Sequence, residues 1–346
     1  MSNLHFFRWP FIITILGLAS AYYLGWKTTG TMAGAMPFLF IGIVLSILEI
    51  SLSFDNAIVN ANTLKNMSLV WQKRFLTWGI LIAVFGMRII FPVLIVAIAA
   101  KISPYAAIEL AITRPEEYER LINDAHLSIT AFGGTFLMMV ALTFFIDDEK
   151  EVDWIHVLET PLRKWSSFRG VEIAFVLIII VLFAINLPVI DAVTFLVSSI
   201  FGLLTFLAVG LVGRILDASE EAKGTAVRGG LGAFLYLEVL DASFSFDGVI
   251  GAFALTTNLF MIAIGLGIGA MYVRAMTIML VERGTLAEFR YLEHGAFYSI
   301  LMLSIIMFLQ SLFHIPEMIT GLIGASLIGL ALLSSLKYNR CSLEEE

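Results

Sequence analysis

Five carboxylates stand inside stretches of otherwise apolar chain: Glu49, Asp55, Glu238, Asp241 and Asp247. Four of them belong to two related strings, ILEISLSFDNAIV over 47–59 and VLDASFSFDGVIG over 239–251. The strings align without a gap, pairing Glu49 with Asp241, Ser53 with Ser245 and Asp55 with Asp247. A charge at the centre of a membrane-spanning helix costs about 2.5–3.5 kcal/mol on insertion scales, so such groups must be paired, protonated or hydrated. Each copy is followed by an apolar stretch carrying one arginine, Arg88 in GMRII and Arg274 in MYVRAM. Two arginines cannot neutralise five acids, and the surplus suits a divalent cation, with or without a proton. The donors around the acids are all oxygen: the Ser53, Asn56 and Ser245 side chains and backbone carbonyls, with no His or Cys in either string. Such donors take hard cations (Mn²⁺, Ca²⁺ or Mg²⁺) in preference to Zn²⁺ or Cu⁺.

At about 100° per residue, Glu49, Ser53, Asn56 and Asn60 share one helix face while Asp55 points away from it. A straight helix would therefore split the two acids. Unwinding near Ser53 would bring both carboxylates, together with freed carbonyls, onto one ion. The second copy reads alike, with Glu238, Asp241 and Ser245 on one face, Asp247 off it, and Gly248 able to ease a break. A structural alternative stands beside this reading, in which Asp55 with Arg88, and Asp247 with Arg274, are ion pairs that set helix packing or gate it. For Glu238 the alternative is a protonated donor to a neighbouring helix.

The elements that must position these groups are membrane helices. The chain has 346 residues, 59% hydrophobic and 14% charged, with a mean hydropathy of +0.93, whereas soluble domains run at about 45–50% apolar and 25% charged. Stretches able to cross a hydrocarbon core about 30 Å thick fall near 9–26, 35–63, 75–100, 127–146, 171–188, 191–213, 229–257, 259–282, 296–314 and 317–336. Excess Lys and Arg stay cytoplasmic. With ten spans, 15 of the basic residues, from Arg8 to Arg340, fall on one side; Lys27, Lys101, Arg114 and Arg120 fall on the other. Both termini are thus predicted cytoplasmic, the loop 101–126 extracytoplasmic and the loop 147–170 cytoplasmic. The second motif copy begins five spans after the first, so the copies run in opposite directions. The expected fold is an all-α, single polytopic domain built as an inverted repeat, with repeats near 35–146 and 229–336 and kinked or broken motif helices. In that architecture the site lies at the repeat interface near the bilayer midplane.

Other features carry less chemistry. The run DDEKEVD over 147–153 reads as a solvated charge cluster, and WIHVLETPLRKW as an interfacial amphipathic segment with Trp154 and Trp165 at headgroup depth. The five histidines, at 5, 126, 156, 294 and 314, show no metal-binding spacing and are read as loop or terminal. GLGIGA over 265–270 reads as close helix packing rather than a nucleotide loop. The single cysteine, Cys341, excludes a disulfide framework or thiolate metal site. A net charge of −7 without a basic patch argues against nucleic acid.

The strings E-x-x-x-S-F-D-N and D-x-x-x-S-F-D-G within an inverted repeat resemble the TerC family of integral membrane proteins, in its longer-chain branch within the LysE-like exporter group. The resemblance covers 40–100 and 231–285, and departs from the family in placing Gly248 after the second aspartate. It implies a divalent metal site on Glu49, Asp55, Asn56, Asp241 and Asp247, and roles in manganese efflux or tellurium resistance. The expectation is a Mn²⁺ exporter of the inner (plasma) membrane, not an enzyme, requiring no cofactor beyond the transported ion and coupled to protons through its carboxylates. Two other classes stay open: a membrane scaffold for a metal or tellurite stress-response complex, and an intramembrane hydrolase using Asp55 and Asp247 as an acid–base pair.

Overall fold

The computed structural model describes residues 5–79, 101–147, 150, 152–168, 170–222, 230–256, 258–284, 288–313 and 315–344, with single positions 82, 86, 90, 93, 94, 96 and 97. At 216–222, 245–247, 250, 251, 253, 254, 317, 318 and 341–344 it describes the backbone alone. Among these residues all regular structure is helical. Seven helices are long and apolar enough to cross a membrane: Arg8–Thr29, Met32–Leu52, Pro115–Phe145, Val189–Ile215, Leu259–Arg283, Leu292–Gln310 and Ile319–Arg340. They make the chain a multi-pass, membrane-type helical protein. Their outward surface fits lipid better than water, with Ile15, Leu16, Phe201, Leu211, Leu330 and Leu333 exposed.

The amino-terminal helices are α1 (Arg8–Thr29), α2 (Met32–Leu52), α3 (Phe54–Lys65) and α4 (Leu69–Arg74), the last running into a π-helical turn at Phe75–Gly79. Gly30, at φ 69°, closes α1 in the left-handed region. Thr31 then accepts the Gly34 N–H at 3.0 Å to start α2. The expected span 35–63 is thus two helices joined at Ser53. Most of the expected span 75–100 lies outside the described residues.

The stretch 101–126, expected as a loop, is helical. Ser103 caps α5 (Pro104–Thr113) by accepting the Ala106 N–H. Pro115 then opens α6 (Pro115–Phe145), 31 residues long, with Glu116 and Glu117 in its first turn where the helix dipole favours them. Buried from Thr130 almost continuously to Leu142, α6 is the central post of the fold.

After α6 come α7 (His156–Lys164), α8 (Val171–Ala184) and α9 (Val189–Ala222). The turn at Asn186–Pro188 separates α8 from α9, as the proline suggests. The carboxyl-terminal helices are α10 (Leu231–Leu255), α11 (Leu259–Arg283), α12 (Leu292–Gln310) and α13 (Glu317–Glu344). Every membrane-length window of α10 contains Glu238, Asp241 and Asp247, which keeps it out of the apolar set although its 25 residues are long enough to span. α10 packs on α2, α3 and α6, α11 on α1, α2 and α3, and α12 on α3, α6 and α13. The two motif copies therefore meet in the interior.

Within the charge run 147–153, expected as a solvated cluster, Asp147 is exposed whereas Lys150 and Asp153 depart from that expectation. The Lys150 and Asp153 side chains are buried, because α7 folds over them and presents Glu159 inward. Lys150 Nζ lies 2.6 Å from Glu159 Oε2, and Asp153 takes Arg163 at 3.2 Å. The Trp154 and Ile155 N–H groups and the Tyr298 hydroxyl donate to Glu159 Oε1. Burial pushes Glu159 up, but the Ile155 N–H, Lys150 and His294 outweigh it and hold the carboxyl below its ordinary range. His294, read from sequence as a loop residue, is a buried member of α12 whose Nε2 lies 2.7 Å from the Val152 carbonyl oxygen. On the other side of α7, Val157 is 83% exposed, so its apolar face is free for a membrane interface.

Candidate functional site

The first motif copy is interrupted where its acids must converge. α2 ends at Leu52, Ser53 adopts φ −104° and ψ 15°, and α3 begins at Phe54. Locally the cause is Asp55, whose Oδ1 accepts the Asn56 N–H at 2.9 Å and gives the backbone a partner other than the preceding helical turn. Ser53 Oγ donates to Glu49 Oε1 at 3.0 Å.

At this junction Glu49, Ser53 and Asp55 line one cavity of about 20 Å³, together with Gly248 of α10, Ser299 of α12 and Thr320 of α13. That volume holds about one water-sized species, for which roughly 10–15 Å³ suffices. Ser299 donates to Asp55 Oδ2 at 2.8 Å. Thr320 is 7% exposed, and its hydroxyl has no hydrogen-bond partner. A buried polar atom left in this way calls for a bound water or ion.

Glycines make the convergence possible. A Cβ on Gly248 would lie 2.7 Å from Glu49 Oε2, and one on Gly269 would lie 2.3 Å from Glu49 Cγ. Gly265 meets Leu45 in the same way, so GLGIGA does serve close packing, of α11 on α2. On α13, a Cβ on Gly324 would lie 2.7 Å from Ser299 Oγ, and one on Gly321 would lie 2.9 Å from Leu52.

The second copy behaves differently from its expected break, since α10 runs unbroken through 239–251. Gly248 there makes room for the Glu49 carboxylate instead of opening the helix. Asp241 does not line the cavity; its Oδ1 accepts from Asn60 Nδ2 at 2.8 Å. Glu238 sits one turn before it, against the π turn at Gly79. Asn56 is buried with its Oδ1 unpartnered. The Ser245 and Asp247 side chains, and Arg88, lie outside the described residues, and with them both expected ion pairs. Arg274 Nη2 donates to the Leu76 carbonyl at 2.5 Å.

Among the described residues no group of three or more His, Cys, Asp or Glu gathers into a metal cage. The acids instead fall in pairs, Glu49 with Asp55 at the junction and Glu238 with Asp241 one turn apart on α10. An ion at either place would draw further ligands from Ser, Thr, Asn, carbonyls and water, the mixed oxygen set that hard cations accept. Sequence reading missed Ser299 and Thr320, which belong to neither motif. The available signal was the small-residue spacing TGLIGAS on α13, which marks a helix built for close approach.

A family profile described as "Protein of unknown function (DUF475)" matches residues 54–342. No curated protein and no solved structure matches the chain.

Proposed function

The chain belongs to the DUF475 family, whose description names no activity, and from the chemistry of its buried acids we propose that it is a divalent cation transporter, an exporter with Mn²⁺ as preferred substrate. The observation that carries this reading is the convergence of Glu49 and Asp55 on one ion-sized cavity at the Ser53 break, opposite the unpartnered Thr320 hydroxyl. Two carboxylates with neutral oxygen donors, deep in an apolar helical bundle, are suited to a hard cation and poorly suited to an organic substrate. A broken helix whose ends present carboxylates and hydroxyls to a small cavity is a recurrent transporter device.

In this reading ten spans form inverted halves of five, both termini face the cytoplasm, and the protein resides in the plasma membrane. Glu49 and Asp55 hold the ion, with Ser53 and Asn56 beside them. Asp241, Asp247 and Ser245 of the second copy take part as the halves rock to alternate access. Metal binding requires deprotonated carboxylates, so protons return as the ion leaves. The resemblance of the paired motifs to TerC proteins points the same way.

The test is manganese challenge of transport-deficient cells expressing the full chain. Wild type is expected to lower cellular manganese and protect growth. Glu49→Gln and Asp55→Asn, shown to be made and inserted, are expected to do neither. Protection by Glu49→Gln equal to wild type would refute the site.

A further inference from the structure

We infer that Asn60, Glu238 and Asp241 form a second hard-cation site, separate from the cavity at the Ser53 break. Its donors come from two elements that pack on each other, α3 and α10. Asn60 Nδ2 donates to Asp241 Oδ1 at 2.8 Å, which ties the helices together and leaves Asn60 Oδ1 without a hydrogen-bond partner. Glu238 lies three residues before Asp241 on α10, the spacing that makes side chains neighbours on a helix. Glu238 is 6% exposed and Asn60 3% exposed. Neither carboxylate oxygen of Glu238 has a hydrogen-bond partner.

That pattern is unusual for a structural acid. A carboxylate placed in a protein to fix geometry is satisfied by donors, because leaving it bare in a poorly polar interior is costly. Glu159 follows that rule, with Lys150, Tyr298 and two backbone N–H groups. Glu238 does not, and a second acid, Asp241, stands one turn along the same helix. All the unpartnered atoms of the cluster, Glu238 Oε1 and Oε2 and Asn60 Oδ1, are acceptors. Acceptors without donors are completed by a proton or a metal ion, and two neighbouring acids with an amide oxygen offer a hard cation three ligands. Gly79 adds room, since a Cβ there would lie 2.7 Å from Glu238 Oε1, and it closes a π-helical turn, a distortion frequent at functional sites.

The site is distinct in place as well as in ligands. The cavity at the break takes Phe244 and Gly248 from α10 but none of Asn60, Glu238 or Asp241. Asn60 follows Asp55 by five residues on α3, about 7.5 Å along the axis. Two cation sites at that separation would lie in series along the motif helix. Their order on a route rests on the transport reading above; the binding claim does not.

Purified full-length protein is titrated with Mn²⁺ alone, and bound ion is counted from the loss of the free-ion paramagnetic resonance signal. Wild type is expected to bind two ions per chain. Glu238→Gln and Asn60→Leu, each checked for an unchanged size-exclusion profile and melting temperature, are expected to bind one. Glu49→Gln is expected to remove the other, and Glu49→Gln with Glu238→Gln both. A wild-type count of zero, or a count in a folded Glu238→Gln protein equal to that of wild type, overturns the second site. If Glu238→Gln loses one ion while Glu49→Gln loses none, the second site stands and the assignment at the break falls.

Discussion

Ser299 holds Asp55 through a single short hydrogen bond inside the cavity, and hydrogen bonds to charged groups are worth about 1.5–3 kcal/mol. Ser299→Ala is expected to raise the Mn²⁺ concentration for half-maximal transport by roughly tenfold, since about 1.4 kcal/mol is a factor of ten. Ser299→Thr keeps the hydroxyl and should restore most of the affinity; equal affinity in all three would show that the hydroxyl does not position Asp55. Gly269 makes a sharper steric test. A methyl there would overlap the Glu49 side chain, and overpacking of this kind costs about 1–3 kcal/mol. Gly269→Ala is expected to lower the melting temperature and abolish transport. Gly329→Ala, whose Cβ meets no atom within 4 Å, should change neither.

At the scale of elements, α7 is a strap fastened chiefly by Glu159, with the Asp153–Arg163 pair beside it. Glu159 is 0% exposed and collects Lys150, Tyr298 and two backbone N–H groups. Removing one member of a buried pair costs about 3–5 kcal/mol. Limited proteolysis of Glu159→Gln is expected to show cleavage within 147–170 at neutral pH, where wild type resists. The pH dependence has a definite sign. Because the folded protein holds Glu159 below its ordinary range, the carboxylate contributes its full stabilisation above the unfolded value of about 4.3. That contribution fades as pH falls through the lower folded value. Wild-type resistance should therefore weaken only below about pH 4.3, while the Gln variant should show no such acid transition.

For the whole molecule, the basic-residue asymmetry makes the placement of the termini measurable. In a Cys341→Ser background, Glu116→Cys and Lys337→Cys introduce single thiols at exposed positions. A membrane-impermeant maleimide added to intact cells is expected to label the first and spare the second. Labelling of both or of neither would refute ten spans with a cytoplasmic carboxyl terminus.

The membrane class and the burial of Glu49, Asp55, Glu238 and Asp241 were legible in the sequence, because apolar length and an uncompensated charge inside it are one-dimensional properties. So was the weak point of the first motif helix, where Asp55 lies off the face shared by Glu49 and Ser53. GLGIGA was legible as packing, since small residues at helical spacing have few other uses in lipid. Three things needed the tertiary structure. Only the first copy breaks, since Asp55 competes for a backbone N–H there, whereas in the second the motif glycine is occupied in accommodating Glu49. Lys150 and Asp153 of the run 147–153 join a buried network, because α7 folds back over them and Tyr298 arrives on Glu159 from α12, far away in sequence. Ser299 and Thr320 reach the cavity only because α12 and α13 pack against the motif helices. Which residues are costly to bury is written in their chemistry; which groups meet that cost depends on contacts that no spacing along the chain encodes.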